Sequence, residues 1–142
     1  MKFLFDTDHM SVLEQPTSAD GVRVFDRMSA HSGANFAASI VSLHEQILGT
    51  HSLINRAKKA AELLSGYELM SRVFEVYRSV RVLPFDEVAR HRFEQLRDGK
   101  IKVGTMDLRI ASIALVNGLT LLTRNHSDFS KIPDLSIEDW TK

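Results

Sequence analysis

The chain has 142 residues, of which 44% are hydrophobic and 25% are charged, a balance that suits one globular domain over residues 1–142. It contains no cysteine, which excludes disulfides, zinc–thiolate sites and cysteine nucleophiles. Eighteen basic residues balance eighteen acidic ones, so the net charge provides no global attraction to nucleic acid. Any such attraction must come from a local patch or from a bound metal ion.

The amino-terminal apolar run is too short to direct the chain to a membrane. It ends at Asp6, well before the length of a signal-peptide core. No other stretch approaches the ~20 apolar residues that a membrane span needs. The sequence therefore predicts a cytoplasmic protein without membrane contact.

The first segment reads as a buried strand followed by two helices. Phe3-Leu4-Phe5 runs directly into Asp6, and a short apolar run with a polar break is typical of a strand buried on both faces. Asp8 is a candidate N-cap for a short helix that ends near Pro16. Residues 19–31 have a loosely helical pattern, in which Val22, Phe25 and Met28 lie three positions apart.

The second segment is predicted to be a strand and a long helical region. Residues 35–41 read as a second buried strand, and Ser42 is expected to open the next helix. Residues 52–79 are mostly helix-forming, and Ser65-Gly66 is the expected break of a helical hairpin.

The carboxyl-terminal half continues the alternation of strands and helices. The expected elements are a strand at residues 80–83, a helix capped by Asp86, a basic loop at 97–104, a helix at 106–117, a strand at 119–123 and a short edge strand at 136–137. Alternating strands and helices predict an α/β fold whose sheet is mainly parallel and covered on both faces.

Four acidic residues are predicted to meet at the carboxyl edge of this sheet, where open α/β sheets bind their ligands. Each of them follows a strand or begins a helix; they are Asp6, Glu45, Asp107 and Asp128. Capping alone could explain some of them. Ser42 and Glu45 fit a capping box, and Thr105 could cap the helix that contains Asp107. Asp8 is a candidate for an outer role at the same site.

Four carboxylates at one edge need a compensating charge, because like charges at close range destabilise one another. Oxygen-only ligation favours Mg²⁺ or Mn²⁺, and such ions held by carboxylates are typical of phosphodiester hydrolysis. Arg97, Lys100 and Lys102 form the basic patch best placed to hold a phosphate backbone. Asn125 could hold a carboxylate or a water molecule with its amide group.

Five motifs, in order along the chain, resemble those of one family. They are Phe3-Leu4-Phe5-Asp6-Thr7-Asp8 (family pattern L-D-T-N/D), Ser42-Leu43-His44-Glu45, Val82-Leu83-Pro84-Phe85-Asp86, Gly104-Thr105-Met106-Asp107-Leu108-Arg109-Ile110-Ala111 (D-x-x-I-A-A, with Ser112 at the second Ala) and Thr123-Arg124-Asn125-His126-Ser127-Asp128-Phe129 (T-x-N-x-x-D-F). Together they resemble a PIN-domain ribonuclease of the VapC kind, the toxin of a type II toxin–antitoxin pair.

The resemblance implies a three-layer α/β/α PIN-like fold with a mainly parallel five-stranded sheet. It implies an endoribonuclease that depends on Mg²⁺ or Mn²⁺ and takes RNA as its substrate. It also implies a homodimer and a cognate VapB-like antitoxin that blocks the site. The implied catalytic and metal-binding residues are the same four acids, Asp6, Glu45, Asp107 and Asp128.

Two other interpretations are open. A haloacid-dehalogenase-like phosphatase would use Asp6 as its nucleophile together with Asp8, but Met10 stands where that family has Thr or Val. A catalytically silent RNA-binding PIN module would keep the fold without the reaction, although all four acids are present. Trapping of an aspartyl-phosphate would identify the first alternative, and RNA retention without cleavage would identify the second.

Overall fold

The computed structural model describes all residues from 1 to 142 and contains one five-stranded sheet. The strands are β1 (Phe3–Phe5), β2 (Phe36–Ser39), β3 (Arg81–Leu83), β4 (Thr120–Leu122) and β5 (Ile137–Glu138). All neighbouring strands pair in parallel, in the order β3-β2-β1-β4-β5. The predicted α/β class and the five-stranded parallel sheet are confirmed.

Seven α-helices accompany these strands. They are α1 (Thr7–Leu13), α2 (Ala19–Met28), α3 (Ile40–Arg56), α4 (Ala60–Arg78), α5 (Glu87–Asp98), α6 (Thr105–Val116) and α7 (His126–Phe129). None of them combines the length and the apolar character that crossing a membrane requires.

The two faces of the sheet carry two separate cores, which makes the fold three-layered. Phe3 and Phe5 point to a core formed with α1, α2 and α4, whereas Leu4 points to a core formed with α5 and α6. This follows from the alternation of side chains along a strand. Because the central strands are covered on both sides, they read as continuous apolar runs in the sequence.

The pairing register brings the carboxyl ends of three strands together. Phe5 lies beside Ala38 of β2 and Leu122 of β4, and the Asp6 backbone N–H donates to the Leu122 carbonyl at 2.9 Å. The polar residues that follow these strands therefore share one edge of the sheet.

Two helices begin earlier than predicted. Asp6, not Asp8, caps α1, and its Oδ1 accepts from the Thr7 backbone N–H at 2.8 Å. Strand β2 ends at Ser39, whose hydroxyl accepts from the Ser42 N–H at 2.9 Å and so caps α3. The strand predicted over residues 35–41 is therefore confirmed but shorter than expected, since Ile40 and Val41 belong to α3. The Ser42–Glu45 capping box is wrong, and Glu45 is not used in capping.

The helical hairpin turns at residues 57–59, not at Ser65-Gly66, which lies inside α4. Gly66 has a packing role there, because a Cβ atom at this position would lie 2.7 Å from Ile54 Cγ1 of α3. The glycine therefore marks a close approach of α3 and α4 and not a helix break.

Three further local expectations are corrected. Helix α2 buries Gly21 and Val24, whereas Val22 and Phe25, two of the apolar residues spaced three apart, are exposed. Gly104, not Thr105, precedes the first turn of α6, without a side-chain cap. The polar turn after β4 contains the short helix α7, which is capped by Asn125.

Candidate active site

The four predicted acids come together at the carboxyl edge of the sheet. Asp6 follows β1, Glu45 lies in α3, Asp107 in the first turn of α6 and Asp128 in α7. The charges of Glu45 and Asp128 both act on Asp107, and that of Asp107 acts on Asp6. Segments more than a hundred residues apart in sequence thus share one electrostatic site.

Asp6 is the most buried of these acids, with an exposed fraction of 5%. Burial, and then the neighbouring charge of Asp8, raise its pKa from 3.8 to about 7, although the hydrogen bond from Thr123 acts in the opposite direction. A carboxylate in this environment strongly favours a compensating positive charge, since desolvation and like charge both penalise its ionised form.

The ionised form of Asp107 is disfavoured in the same way as that of Asp6. Its pKa is raised to about 6 by partial burial first, and then by the charges of Glu45 and Asp128. The first turn of a helix normally favours an ionised acid, but here burial and the surrounding carboxylates together outweigh that effect. Perturbed acids of this kind cluster at functional sites.

A chain of hydroxyl groups orients Glu45. The Thr7 hydroxyl donates to Glu45 Oε1 at 2.8 Å and lies 3.0 Å from the Ser42 hydroxyl, which in turn lies 3.2 Å from that of Ser39. Because Thr7 has one proton and the carboxylate can only accept, Ser42 directs its own proton to Thr7. Hydroxyl groups at the amino-terminal ends of α1 and α3 therefore orient Glu45, and the direct hydrogen bond comes from Thr7.

Asn125 joins the other two acids. Its Nδ2 donates to Asp128 Oδ2 at 3.1 Å and to Asp107 Oδ2 at 3.5 Å, while its Oδ1 accepts from the Asp128 N–H at 3.4 Å. The capping bond fixes the amide so that its donors face the carboxylates. The hydrogen bond from Asn125, and to a lesser extent Lys131 at 3.5 Å, lower the pKa of Asp128.

Thr123 connects Asp6 to Asp8. Its hydroxyl accepts from the Asn125 N–H at 3.0 Å and donates to Asp6 Oδ2 at 2.7 Å, with Asp8 Oδ2 at 3.3 Å. Asp8 Oδ2 also accepts from the Arg124 N–H at 3.0 Å. Two carboxylates therefore share a single hydroxyl proton at the end of β4.

Thr7, Thr123 and Lys131 contribute to the site although the sequence patterns do not indicate them. Thr7 directly follows Asp6 after β1, and Thr123 directly precedes Arg124 after β4. A hydroxyl residue next to a polar residue at a strand end is the one local signal that could have indicated a role for them. Their partners lie 38 and 117 residues away, respectively, so only the fold reveals these hydrogen bonds.

The basic patch lies near this edge without touching the four acids. Arg97, Lys100 and Lys102 are exposed, and the Arg97 guanidinium lies 5.4 Å from the centre of the Phe93 ring. The loop is linked to the site through Lys131, whose Nζ donates to the Lys102 carbonyl at 3.3 Å and lies 3.5 Å from Asp128 Oδ1.

The donor set suits a hard divalent cation, although no three His, Asp or Glu side chains are close enough together to enclose one. All four acids offer oxygen ligands, which Mg²⁺ and Mn²⁺ prefer. Mg²⁺ commonly keeps several water molecules and binds through one or two carboxylates. Burial and neighbouring carboxylates raise the pKa values of Asp6 and Asp107, and a bound cation would offset both of these costs of ionisation.

A three-layer α/β/α domain with a five-stranded parallel sheet and acids gathered at its carboxyl edge has the architecture of a PIN-like domain. The comparisons with known proteins agree with this class. Over 141 residues the chain is 28% identical to Ribonuclease VapC1 of Rickettsia felis, and the match covers 96% of this chain and 95% of that protein.

Solved structures give the same result. The fold matches a chain of a DNA-bound VapBC complex from Salmonella typhimurium with a TM-score of 0.79 and 25% identity, over 99% of this chain and 98% of the other. It matches VapBC-1 from nontypeable Haemophilus influenzae with a TM-score of 0.76 and 23% identity, over 100% of both chains. No protein-family model matches the chain. The end-to-end similarity confirms the resemblance to VapC-type PIN-domain proteins inferred from the motifs.

Proposed function

We propose that the protein is an endoribonuclease toxin that depends on Mg²⁺ or Mn²⁺ and is neutralised by a VapB-like antitoxin. The observation that carries this proposal is the convergence of Asp6, Glu45, Asp107 and Asp128 on one sheet edge. The full-length similarity to Ribonuclease VapC1 supports RNA as the substrate.

In this proposal the four acids are both the catalytic and the metal-binding residues. These four acids would hold the divalent cation, which would supply activation of a water molecule for attack on a phosphodiester and neutralisation of phosphate charge. The chain's own groups keep the acids in place for this reaction. Thr7 orients Glu45, Thr123 orients Asp6, and Asn125 bridges Asp107 and Asp128.

The phosphatase alternative fits the geometry less well. A second aspartate that acts on the leaving group needs a free carboxyl oxygen. Here Asp8 Oδ1 is bound by His9 at 2.7 Å, and Asp8 Oδ2 accepts from the Arg124 N–H and lies near Thr123. Both oxygens of Asp8 are therefore occupied by the protein itself.

We propose that the RNA backbone is held by Arg97, Lys100 and Lys102, with Asn125 as a further RNA-binding group near the acids. The double variant Lys100→Gln/Lys102→Gln should weaken RNA binding more at low salt than at high salt. The slope of log Kd against log salt should decrease by about 0.7 for each phosphate that the variant no longer neutralises. Binding of a labelled single-stranded RNA by the Asp6→Asn protein, which should not cut it, measures this slope.

The matched control is Lys58→Gln/Lys59→Gln, since these two lysines are also exposed but lie at the turn between α3 and α4. An unchanged slope in Lys100→Gln/Lys102→Gln, or an equal change in the control, would contradict the assignment of the patch.

The partners are proposed as a second copy of the chain and a VapB-like antitoxin. Solved relatives include VapBC complexes. The α3–α4 hairpin exposes several large apolar side chains that such partners would cover; they are Leu48, Leu53, Leu63, Leu64, Tyr67 and Phe74.

The decisive experiment is RNA cleavage with and without EDTA. Purified protein and total RNA in Mg²⁺ should give new ends at defined positions, located by sequencing, and EDTA should remove them. Retention of RNA without cutting, in Mg²⁺ as well as in EDTA, would identify a silent binding module. A phosphorylated Asp6 after treatment with a phosphomonoester would identify the phosphatase instead.

A further inference from the structure

His9 is a fully buried histidine whose two ring nitrogens contact two different segments of the chain. Its exposed fraction is 0%. Nδ1 lies 2.7 Å from Asp8 Oδ1, and the Trp140 backbone N–H donates to Nε2 at 3.2 Å. The residue thus lies between the acidic edge of the sheet and the carboxyl-terminal segment.

The partner on Nε2 determines the tautomer of this imidazole. A backbone N–H can only donate, so Nε2 must be the unprotonated acceptor and Nδ1 must carry the proton. The Asp139 carboxylate lies 3.8 Å from Nε2, beyond hydrogen-bond distance, and its Oδ1 already accepts from the backbone and hydroxyl of Thr141. The Nδ1 proton is therefore donated to Asp8.

Asp8 connects His9 to the loop after β4 and to the candidate active site. With Oδ1 bound by His9, Oδ2 accepts from the Arg124 N–H at 3.0 Å and lies 3.3 Å from the Thr123 hydroxyl. That hydroxyl donates to Asp6 Oδ2 at 2.7 Å. The contacts run from Trp140 through His9 to Asp8, whose Oδ2 is held by the Arg124 N–H. The neighbouring Thr123 hydroxyl then donates its one proton mainly to Asp6, with Asp8 as the weaker acceptor.

We propose that His9 is a positioning residue for the active site, acting in its neutral Nδ1–H form. It fixes the carboxyl plane of Asp8, which in turn fixes the loop after β4 and the orientation of Asp6. The proposal rests on the proposed nuclease function of that site. The competing interpretation is that His9 only fills volume in the core, in which case its nitrogens have no effect on cleavage.

Three substitutions separate the two interpretations. His9→Phe keeps the ring and removes both hydrogen bonds. His9→Asn keeps an amide donor near the position of Nδ1, and His9→Gln keeps an acceptor near that of Nε2. On a labelled RNA oligonucleotide that contains the mapped site, kcat should fall about 10–100-fold in His9→Phe and His9→Gln. It should be largely restored in His9→Asn, with KM nearly constant throughout.

Thermal unfolding measures the stability of the three variants. The control is His51→Gln, which replaces an exposed histidine in the same protein. A volume-filling role predicts that kcat follows stability, so that His9→Asn, the smallest side chain, is the poorest. That order would overturn the proposal.

The imidazole ¹⁵N shifts of His9 in the metal-free wild type give a readout that requires neither activity nor a variant. A protonated Nδ1 and an unprotonated Nε2 are expected, and the opposite tautomer would overturn the proposal. If wild-type protein cuts no RNA at all, the nuclease function is wrong, whereas the ¹⁵N measurement still decides whether His9 donates to Asp8.

Discussion

Asp6→Asn is expected to remove RNA cleavage while the metal-free fold stays at least as stable as wild type. The loss should be at least about a hundredfold, because Asp6 would hold the cation, and the cation's stabilisation of transition-state charge is worth several kcal/mol. The fold should tolerate the change, because the pKa of Asp6 is raised to about 7 and its ionised form is therefore unfavourable in the folded protein.

The hydrogen bonds of Asp6 can be kept by asparagine. Oδ1 can still accept from the Thr7 N–H and cap α1, and asparagine is as good an N-cap as aspartate. The new amide can donate to the Thr123 hydroxyl, which can turn its proton toward Asp8 Oδ2, now 3.3 Å away. We expect the free energy of unfolding near pH 8 to be unchanged or to rise by about 1–3 kcal/mol.

Urea denaturation in EDTA and cleavage assays in Mg²⁺ measure the two effects separately. The control is Asp26→Asn, which removes the same charge from an exposed position of α2 and should change neither quantity. An Asp6→Asn protein that unfolds without metal would show that the carboxylate is structural. One that still cuts RNA at the wild-type rate would remove Asp6 from the catalytic set.

The strands and their acids were predictable because they depend on local signals. The central strands are buried on both faces, so Phe3-Leu4-Phe5 reads as an apolar run, and parallel pairing then determines which edge Asp6 shares with the other acids. Helix starts were harder to predict. Ser39 and Ser42 are both good caps, as are Asp6 and Asp8, and only the register of β2 against β1 selects Ser39 and Asp6.

The supporting hydrogen bonds of the site could not be predicted from the sequence. Thr123 reaches Asp6 across 117 positions, and the Trp140 N–H reaches His9 across 131, so no local pattern encodes either interaction. Gly66 illustrates the same limit, because a glycine next to a serine normally predicts a break. Here it marks the close approach of α4 to Ile54, which no local pattern could identify.

Without metal, the protein is expected to become less stable as the pH rises from about 4 to about 7. The pKa of Asp6 is raised from 3.8 to about 7 and that of Asp107 to about 6. In this window the folded protein keeps protons that the unfolded chain has released, so the free energy of unfolding decreases with pH. Asp6 should contribute about 2–4 kcal/mol, and the half-buried Asp107 a smaller amount in the same direction.

Divalent cations should reverse this loss where the acids are ionised. About 10 mM Mg²⁺ should raise the melting temperature clearly near pH 8 and little near pH 5, because ligand binding stabilises only the folded state and protons compete for the same oxygens.

Urea titrations of wild type and Asp6→Asn, with and without Mg²⁺, isolate the contribution of Asp6 as the difference between the two proteins. In EDTA that difference should be smallest near pH 4, already appreciable near pH 5 and largest near pH 8. A metal-free wild type that is more stable near pH 8 than near pH 5, with no response to Mg²⁺, would contradict the charge crowding on which the proposed metal site depends.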